Sequence, residues 1–249
     1  MGLFGFLSKE GRERRSLDRS VSRAINKYAQ SPDRYKAFQA LLAEGSDRAH
    51  FGLLKRFGMM YDKSIEDEQE KEWVFEALAE KGAAVIPAIE RYLQSADSIS
   101  WPLRLLSKVA SPTHELEIIK KVLERHEPGY ERDPTKKIQL LNHLAALKEP
   151  GLGALAAPYL ADMDEGVRYA AVEAMARVGD EDAAREPLIA HLVSDGEESL
   201  RVRIQIAEAF ARHGWLVKTN RPAFDQKLPE QFSIGRDGRV QKKPEDTKG

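Results

Sequence analysis

The sequence predicts an all-α protein, an α-solenoid of about six antiparallel helix pairs ending in a short irregular C-terminal tail. Three observations predict it. One amphipathic pattern recurs at six registers along the chain, four of the six copies end in glycine, and each copy is preceded by a shorter apolar stretch that suits a partner helix.

The clearest copy is Asp164 to Gly179, DEGVRYAAVEAMARVG, which has a first-turn acid, an apolar helical period and a terminal glycine suited to a left-handed cap. With Arg168 as its anchor, the same pattern is anchored at Arg34, Lys71, Ile99, Lys137 and Arg203. Three residues after the anchors stand Ala37, Val74, Pro102, Leu140, Ala171 and Ile206. Four after stand Phe38, Phe75, Leu103, Leu141, Val172 and Ala207, and seven after stand Leu41, Leu78, Leu106, Leu144, Met175 and Phe210. These positions share one helical face, so six helices are expected to bury the same stripe. Eleven after the anchors, Gly45, Gly82, Gly179 and Gly214 terminate four of them.

Anchor spacings of 37, 28, 38, 31 and 35 leave room for a first helix ahead of each second one. The first helices are expected at 16–29, 47–60, 84–95, 113–125, 152–161 and 182–193. Breaks fall at Ser31-Pro32, Ser111-Pro112, Glu149-Pro150-Gly151 and Asp195-Gly196. Pro87 and Pro187 are expected inside first helices, each as a kink that packing uses. The chain is thus divided into an apolar and basic N-terminal segment (1–15), the repeat array (16–214) and a C-terminal extension (215–249).

GVRYAAVEAMARVGDEDA, with the interior prolines, resembles the HEAT repeat family. The resemblance is strongest across 150–214, weaker across 66–149 and weakest across 16–60. It implies paired helices stacked into a curved superhelix with the second helices lining the concave side, and a role in binding.

Composition narrows the class. A 249-residue chain without cysteine excludes disulfides and thiolate zinc sites, and a cytoplasmic location is expected. The run Met1 to Leu7 is too short for a secretory signal, and no apolar run is long enough to span a membrane. The net charge of −1 divides into +4 over 1–27, +3 over 215–249 and −8 between them. An acidic body argues against nucleic acid as a partner.

The anchor column is basic in five copies, Arg34, Lys71, Lys137, Arg168 and Arg203, and these are the candidate partner-binding residues. Two readings stand. In one, an acid four residues earlier pairs with the base, as in Asp67/Lys71, Asp133/Lys137 and Asp164/Arg168, to make a structural ladder. In the other, the bases form a track on the concave face for an acidic segment of a protein partner, with Arg34 and Arg203, which lack such an acid, as its main contacts. The function expected is a non-catalytic interaction scaffold with no catalytic residues, metal or cofactor.

The rival is a HEAT-like DNA glycosylase acting on alkylated bases, because Trp73 and Trp101 share one repeat position. If they point into a concave cleft the enzyme is favoured, and if they enter the core it is not. His114-Glu115 and His126-Glu127 are similar to the iron-binding dipeptides of deoxyhypusine hydroxylase, but they do not recur at one repeat position. No chromophore-reactive pattern of the HEAT-like phycobilin lyases, phosphate loop or nucleophile motif is present. The acidic run Glu66 to Glu70 suits a helix start.

Leu3, Phe4, Phe6 and Leu7, ahead of Lys9, Arg12, Arg14 and Arg15, either cap the first repeat or make a weak peripheral membrane contact. Phe6 breaks the myristoylation pattern. In the tail, FSIGRDGRV suits a small hairpin around Asp237-Gly238, and QKKPEDTKG is expected to be disordered.

Overall fold

The six expected second helices all form, and each is preceded by a first helix. A computed structural model describes residues 3–60, 62, 64–147, 152–179 and 181–244, with the backbone alone for residues 3–10 and 178. The chain divides into two compact units, 1–124 and 125–249, and the division falls between the two helices of the fourth pair.

In the first unit the elements are α1 (Leu3–Ala24), α2 (Ser31–Glu44), α3 (Asp47–Leu54, continued by a 3-10 turn, Lys55–Gly58) and α4 (Ser64–Ala79). They continue with α5 (Ile86–Ser95, entered through a 3-10 turn, Gly82–Val85), α6 (Ser100–Val109) and α7 (Pro112–Leu123). The second helices α2, α4 and α6 pack on one another in order, and so do the first helices α1, α3, α5 and α7. The second unit holds α8 (Thr135–Leu147), α9 (Leu152–Ala156, continued by a 3-10 turn, Ala157–Ala161), α10 (Glu165–Val178), α11 (Glu181–Val193), α12 (Leu200–His213) and α13 (Arg221–Lys227). There α8, α10 and α12 make one row and α9, α11 and α13 the other. Each helix contacts its neighbours in the stack, the quasi-one-dimensional packing of repeat proteins.

Every residue of the predicted stripe is buried, most of them with no exposed surface. Burying one such Leu or Phe contributes roughly 1.5–3 kcal/mol. Gly45, Gly179 and Gly214 close their helices at φ of 69°, 69° and 65°, the left-handed region an L side chain avoids. Ser46, Ser111, Asp164 and Ser199 accept hydrogen bonds from the backbone N–H three residues on and so open α3, α7, α10 and α12.

Four expectations need correction. The boundary expected after residue 15 falls inside a helix, because α1 runs unbroken from Leu3 to Ala24 through a proline-free stretch rich in helix formers. Pro87 is no kink: it stands in the first turn of α5, where its missing N–H costs nothing, whereas Pro187 does lie inside α11. The C-terminal extension forms the hairpin expected around Asp237-Gly238 but holds more regular structure than an irregular tail. Pro222 starts α13, and β1 (Phe232–Ile234) pairs antiparallel with β2 (Val240–Lys242), with Gly238 at φ 86° in the connecting turn. Trp215, Val217, Phe224, Phe232 and Val240 are buried, and Phe210 of α12 packs on Trp215 and Phe224, so the extension covers the open end of the last pair. Of the expected disordered residues, Gln241 and Lys242 are in β2, and 245–249 lie outside the described residues. Among the described residues no helix is long and apolar enough to cross a membrane.

Candidate functional site

Four of the five anchor bases stand in the first turn of their helices, Lys71 lies midway along α4, and in three of the five cases the base reaches out of its own pair to an acid of the next. In the first unit, Arg34 of α2 donates Nε to Glu70 Oε2 (2.9 Å) and Nη2 to Oε1 (2.7 Å), while Nη1 donates to the Ala29 carbonyl. Glu70, on α4, also accepts from Arg56 Nε (3.0 Å) and the Ser31 hydroxyl (3.0 Å). Arg56 Nη2 reaches Asp67 (2.7 Å), whose other oxygen takes Lys71 Nζ (2.5 Å). The result is an alternating chain of charge, Arg34–Glu70–Arg56–Asp67–Lys71, with Arg34, Arg56 and Glu70 enclosed.

Burial alone would raise the Glu70 carboxyl, but the hydrogen bonds from Arg34 and Ser31 and the charge of Arg56 outweigh it and hold it below the usual carboxylate range. Two buried guanidinium groups are tolerable because their donors meet the carboxylates of Glu70 and Asp67 and the carbonyls of Ala29, Met59 and Asp67.

The second unit repeats the arrangement twice. Lys137 of α8 donates to Asp162 (2.8 Å) and to the Gly129 carbonyl (2.9 Å), and Asp162 accepts in turn from the backbone N–H of Gly129 and Asp164. Arg168 of α10 forks onto Glu197, Nε to Oε2 at 2.8 Å and Nη2 to Oε1 at 3.1 Å, while Nη1 donates to the carbonyls of Asp162 and Met163. His191 Nε2 lies 2.7 Å from Glu197 Oε2, and the Ser199 N–H donates to Oε1. Burial pushes the Glu197 carboxyl up, and its bonds to Arg168, Ser199 and His191 bring it net below normal. The fork onto Glu197 raises the Arg168 guanidinium.

These placements correct the exposed track. Arg34 and Lys137 are buried, at 0% and 1% exposure, and so cannot present charge to a partner. The side chains of Lys71 and Arg168 keep only 12% and 15% of their surface. The expected ladder is also different, since of the three acids four residues before a base only Asp67 pairs with it. Asp133 accepts from the Thr135 N–H, and Asp164 caps α10 through the Val167 N–H, so each spends its oxygens on local backbone. The acids that do the pairing, Glu70, Asp162 and Glu197, were not anticipated. A signal for two of them lies in the sequence, because Glu131, Asp162 and Glu197 all stand six residues before an anchor.

Arg203 differs from the other four. It is half-buried at the start of α12, and its Nε is enclosed without a hydrogen-bond partner among the described residues. Among the described residues, α12 is followed by α13 and the β1–β2 hairpin, and neither supplies that acid.

The two tryptophans are packing residues. Trp73 of α4 stacks on Phe38 and meets Tyr35 edge-on, both from α2. Trp101 of α6 stacks on Phe57 at 5.5 Å and 3°, and meets Phe75 of α4 edge-on, with Arg104 over its ring. Each indole joins one pair to the pair before it, which removes the aromatic basis for the glycosylase reading. The two His-Glu dipeptides do not converge: Glu115 binds the Ser107 hydroxyl, and His126 lies against Glu131. Among the described residues no group of three or more His, Asp or Glu is arranged to hold a metal. A groove of about 570 Å³ opens over Arg168 and His191 beside α11, but these charges are already paired with Glu197.

The sequence model of the PBS lyase HEAT-like repeat matches residues 167–194, the stretch from the third residue of α10 to one residue past the end of α11. The chain matches no curated protein and no solved structure. That match makes the α10–α11 stretch similar to a HEAT-like repeat, and in each unit the second helices bury the same recurring stripe.

Proposed function

We propose that the chain is a non-catalytic interaction scaffold that takes an acidic segment of a protein partner, with Arg203 as the recognising base. One observation carries the reading. At the structural position where Arg34, Lys137 and Arg168 each close on an acid of the following pair, Arg203 has an enclosed Nε with no acceptor among the described residues. A carboxylate supplied by a partner would complete there the contact that the chain makes internally in its other pairs. HEAT-like repeats typically mediate protein–protein interaction, which supports the class.

The test is binding of Asp/Glu-rich peptides, measured by fluorescence anisotropy. Arg203→Glu should weaken binding about tenfold or more, while Arg212→Glu, an exposed base on the same helix, should change it little. Equal binding by the parent protein and Arg203→Glu would overturn the reading.

A further inference from the structure

Two rows of opposite charge in unit 1 share one spacing. Arg15, Arg19 and Arg23 follow one another at four-residue steps on α1, and Glu68, Glu72 and Glu76 do the same on α4. All six are exposed. Four helical residues rise about 6 Å and turn about 40° beyond a full circle, so each triplet makes a stripe about 12 Å long on one side of its helix. The arginines border a groove of about 1240 Å³ along α1, and Glu68 and Glu72 border a recess of about 550 Å³ that also takes in Ile65.

The charge of neither row is matched inside the unit. Arg15 and Arg19 donate Nε to carbonyls four residues earlier, at 2.9 and 3.3 Å. Of the acids that border the α1 groove, Asp18 is held by Arg48 at 2.6 Å and Asp33 lies 4.0 Å from Lys36. Among the described residues no ion pair engages Glu68, Glu72 or Glu76, and Lys71, the base between them on α4, is tied to Asp67.

The large apolar side chains exposed in unit 1 stand at one end of each row. Tyr28 follows the arginines, while Ile65 precedes the glutamates by three residues with Met60 in the turn before it, at 84%, 74% and 86% exposure.

We infer that these rows bind a second copy of the chain, with α1 of one copy lying antiparallel on α4 of the other. That register sets Arg23 on Glu68, Arg19 on Glu72 and Arg15 on Glu76. It also brings Tyr28 of one copy to Ile65 and Met60 of the other. Parallel docking would match the charges equally well, but it would put Ile65 opposite Arg12 and leave Tyr28 uncovered. Exposed ion pairs contribute little by themselves and are screened by salt, so the apolar end supplies the part of the contact that salt leaves in place. Each copy carries both rows, the self-complementarity that an isologous pair of copies requires. The inference concerns unit 1 alone and does not rest on Arg203.

The experiment is sedimentation equilibrium of the full chain at up to roughly 100 μM, at low and high salt. The parent protein should show a mass above that of one chain at low salt, with the association constant falling on the order of tenfold as salt rises. Arg15→Glu/Arg19→Glu/Arg23→Glu and Glu68→Lys/Glu72→Lys/Glu76→Lys should each lower that constant on the order of a hundredfold. Mixing the two variants should restore association, because every row again meets one of opposite sign. Ile65→Ser should weaken association about tenfold at both salt concentrations. All of these variants should melt within a few degrees of the parent protein, since the changed positions are exposed. A parent protein that stays monomeric, association unmoved by either triple variant, or a mixture that stays monomeric would each overturn the inference. So would binding of an Asp/Glu-rich peptide that is lost in the arginine variant, which would make the α1 groove the site of a different, acidic partner. Arg203→Glu should self-associate as the parent does, so this inference and the Arg203 reading fail separately.

Discussion

Asp162 and Glu197 hold one structural place in consecutive repeats. Each stands six residues before an anchor, and each closes at 2.8 Å on the base of the pair before it, Lys137 and Arg168 respectively. An acid in the loop before one second helix thereby fixes the start of the previous second helix. This gives the stack a directional register that apolar packing alone does not specify.

Removing one partner from such a buried pair should cost far more than removing both. Glu197→Ala leaves Arg168 and His191 without their acceptor and should destabilise by about 3–5 kcal/mol. Arg168→Met with Glu197→Leu should recover most of that loss. Chemical denaturation of both single variants and the double variant checks this, and additive losses would contradict it.

In the first unit Glu70 neutralises two buried guanidinium groups, so Glu70→Gln is predicted to be among the most damaging isosteric changes in the chain. It should lower stability by about 3–5 kcal/mol. Lys36→Ala, an exposed change on α2, should stay within about 0.5 kcal/mol. Thermal melting distinguishes them, since a chain of this size loses roughly 2–4 °C per kcal/mol.

His50 of α3 is buried with neither ring nitrogen hydrogen-bonded among the described residues. Burial, aided by the charge of Lys81, depresses its pKa below the ordinary 6.5. The unfolded chain then binds a proton before the folded one does. Stability should therefore be unaffected by this group above about pH 6.5 and fall as pH drops below it. Denaturation at several pH values should show a shallower decline for His50→Leu than for the parent protein, and parallel declines would contradict the assignment.

Trp101 sandwiched on Phe57 predicts that Trp101→Ala costs stability, at the lower end of the roughly 3–5 kcal/mol typical of a truncated core aromatic because the indole is half-exposed. Melting checks the loss. Salt-dependent duplex DNA binding by the parent protein that disappears in the variant would revive the glycosylase reading.

The second helices were legible because Leu41, Leu78, Leu106, Leu144, Met175 and Phe210 repeat a period that only one burial geometry explains. The ion pairs were less so. An acid four residues before a base is a local pattern, and at Asp133 and Asp164 local capping competed for the same oxygens and won. The partners actually used lie 25 to 36 residues away, as |i−j| for Lys137–Asp162 and Arg34–Glu70 shows. Such distances become contacts only when pairs stack. The capping role of 215–244 was hidden because the Trp215, Phe224 and Phe232 side chains that bury it follow no repeat register.

The central claim is that Arg34, Lys137 and Arg168 are internal ties between pairs, whereas Arg203, the base proposed for a partner, has no acceptor for its Nε among the described residues. Its most direct test is the thermal melting of Arg34→Met, Lys137→Met, Arg168→Met and Arg203→Met in parallel. The first three should each melt about 10 °C or more below the parent protein, since each strands a buried acid. Arg203→Met should melt at or slightly above the parent temperature, because it removes an enclosed donor that has no acceptor among the described residues. A loss at Arg203 as large as at Arg34, or no loss at Arg34 and Arg168, would contradict the account.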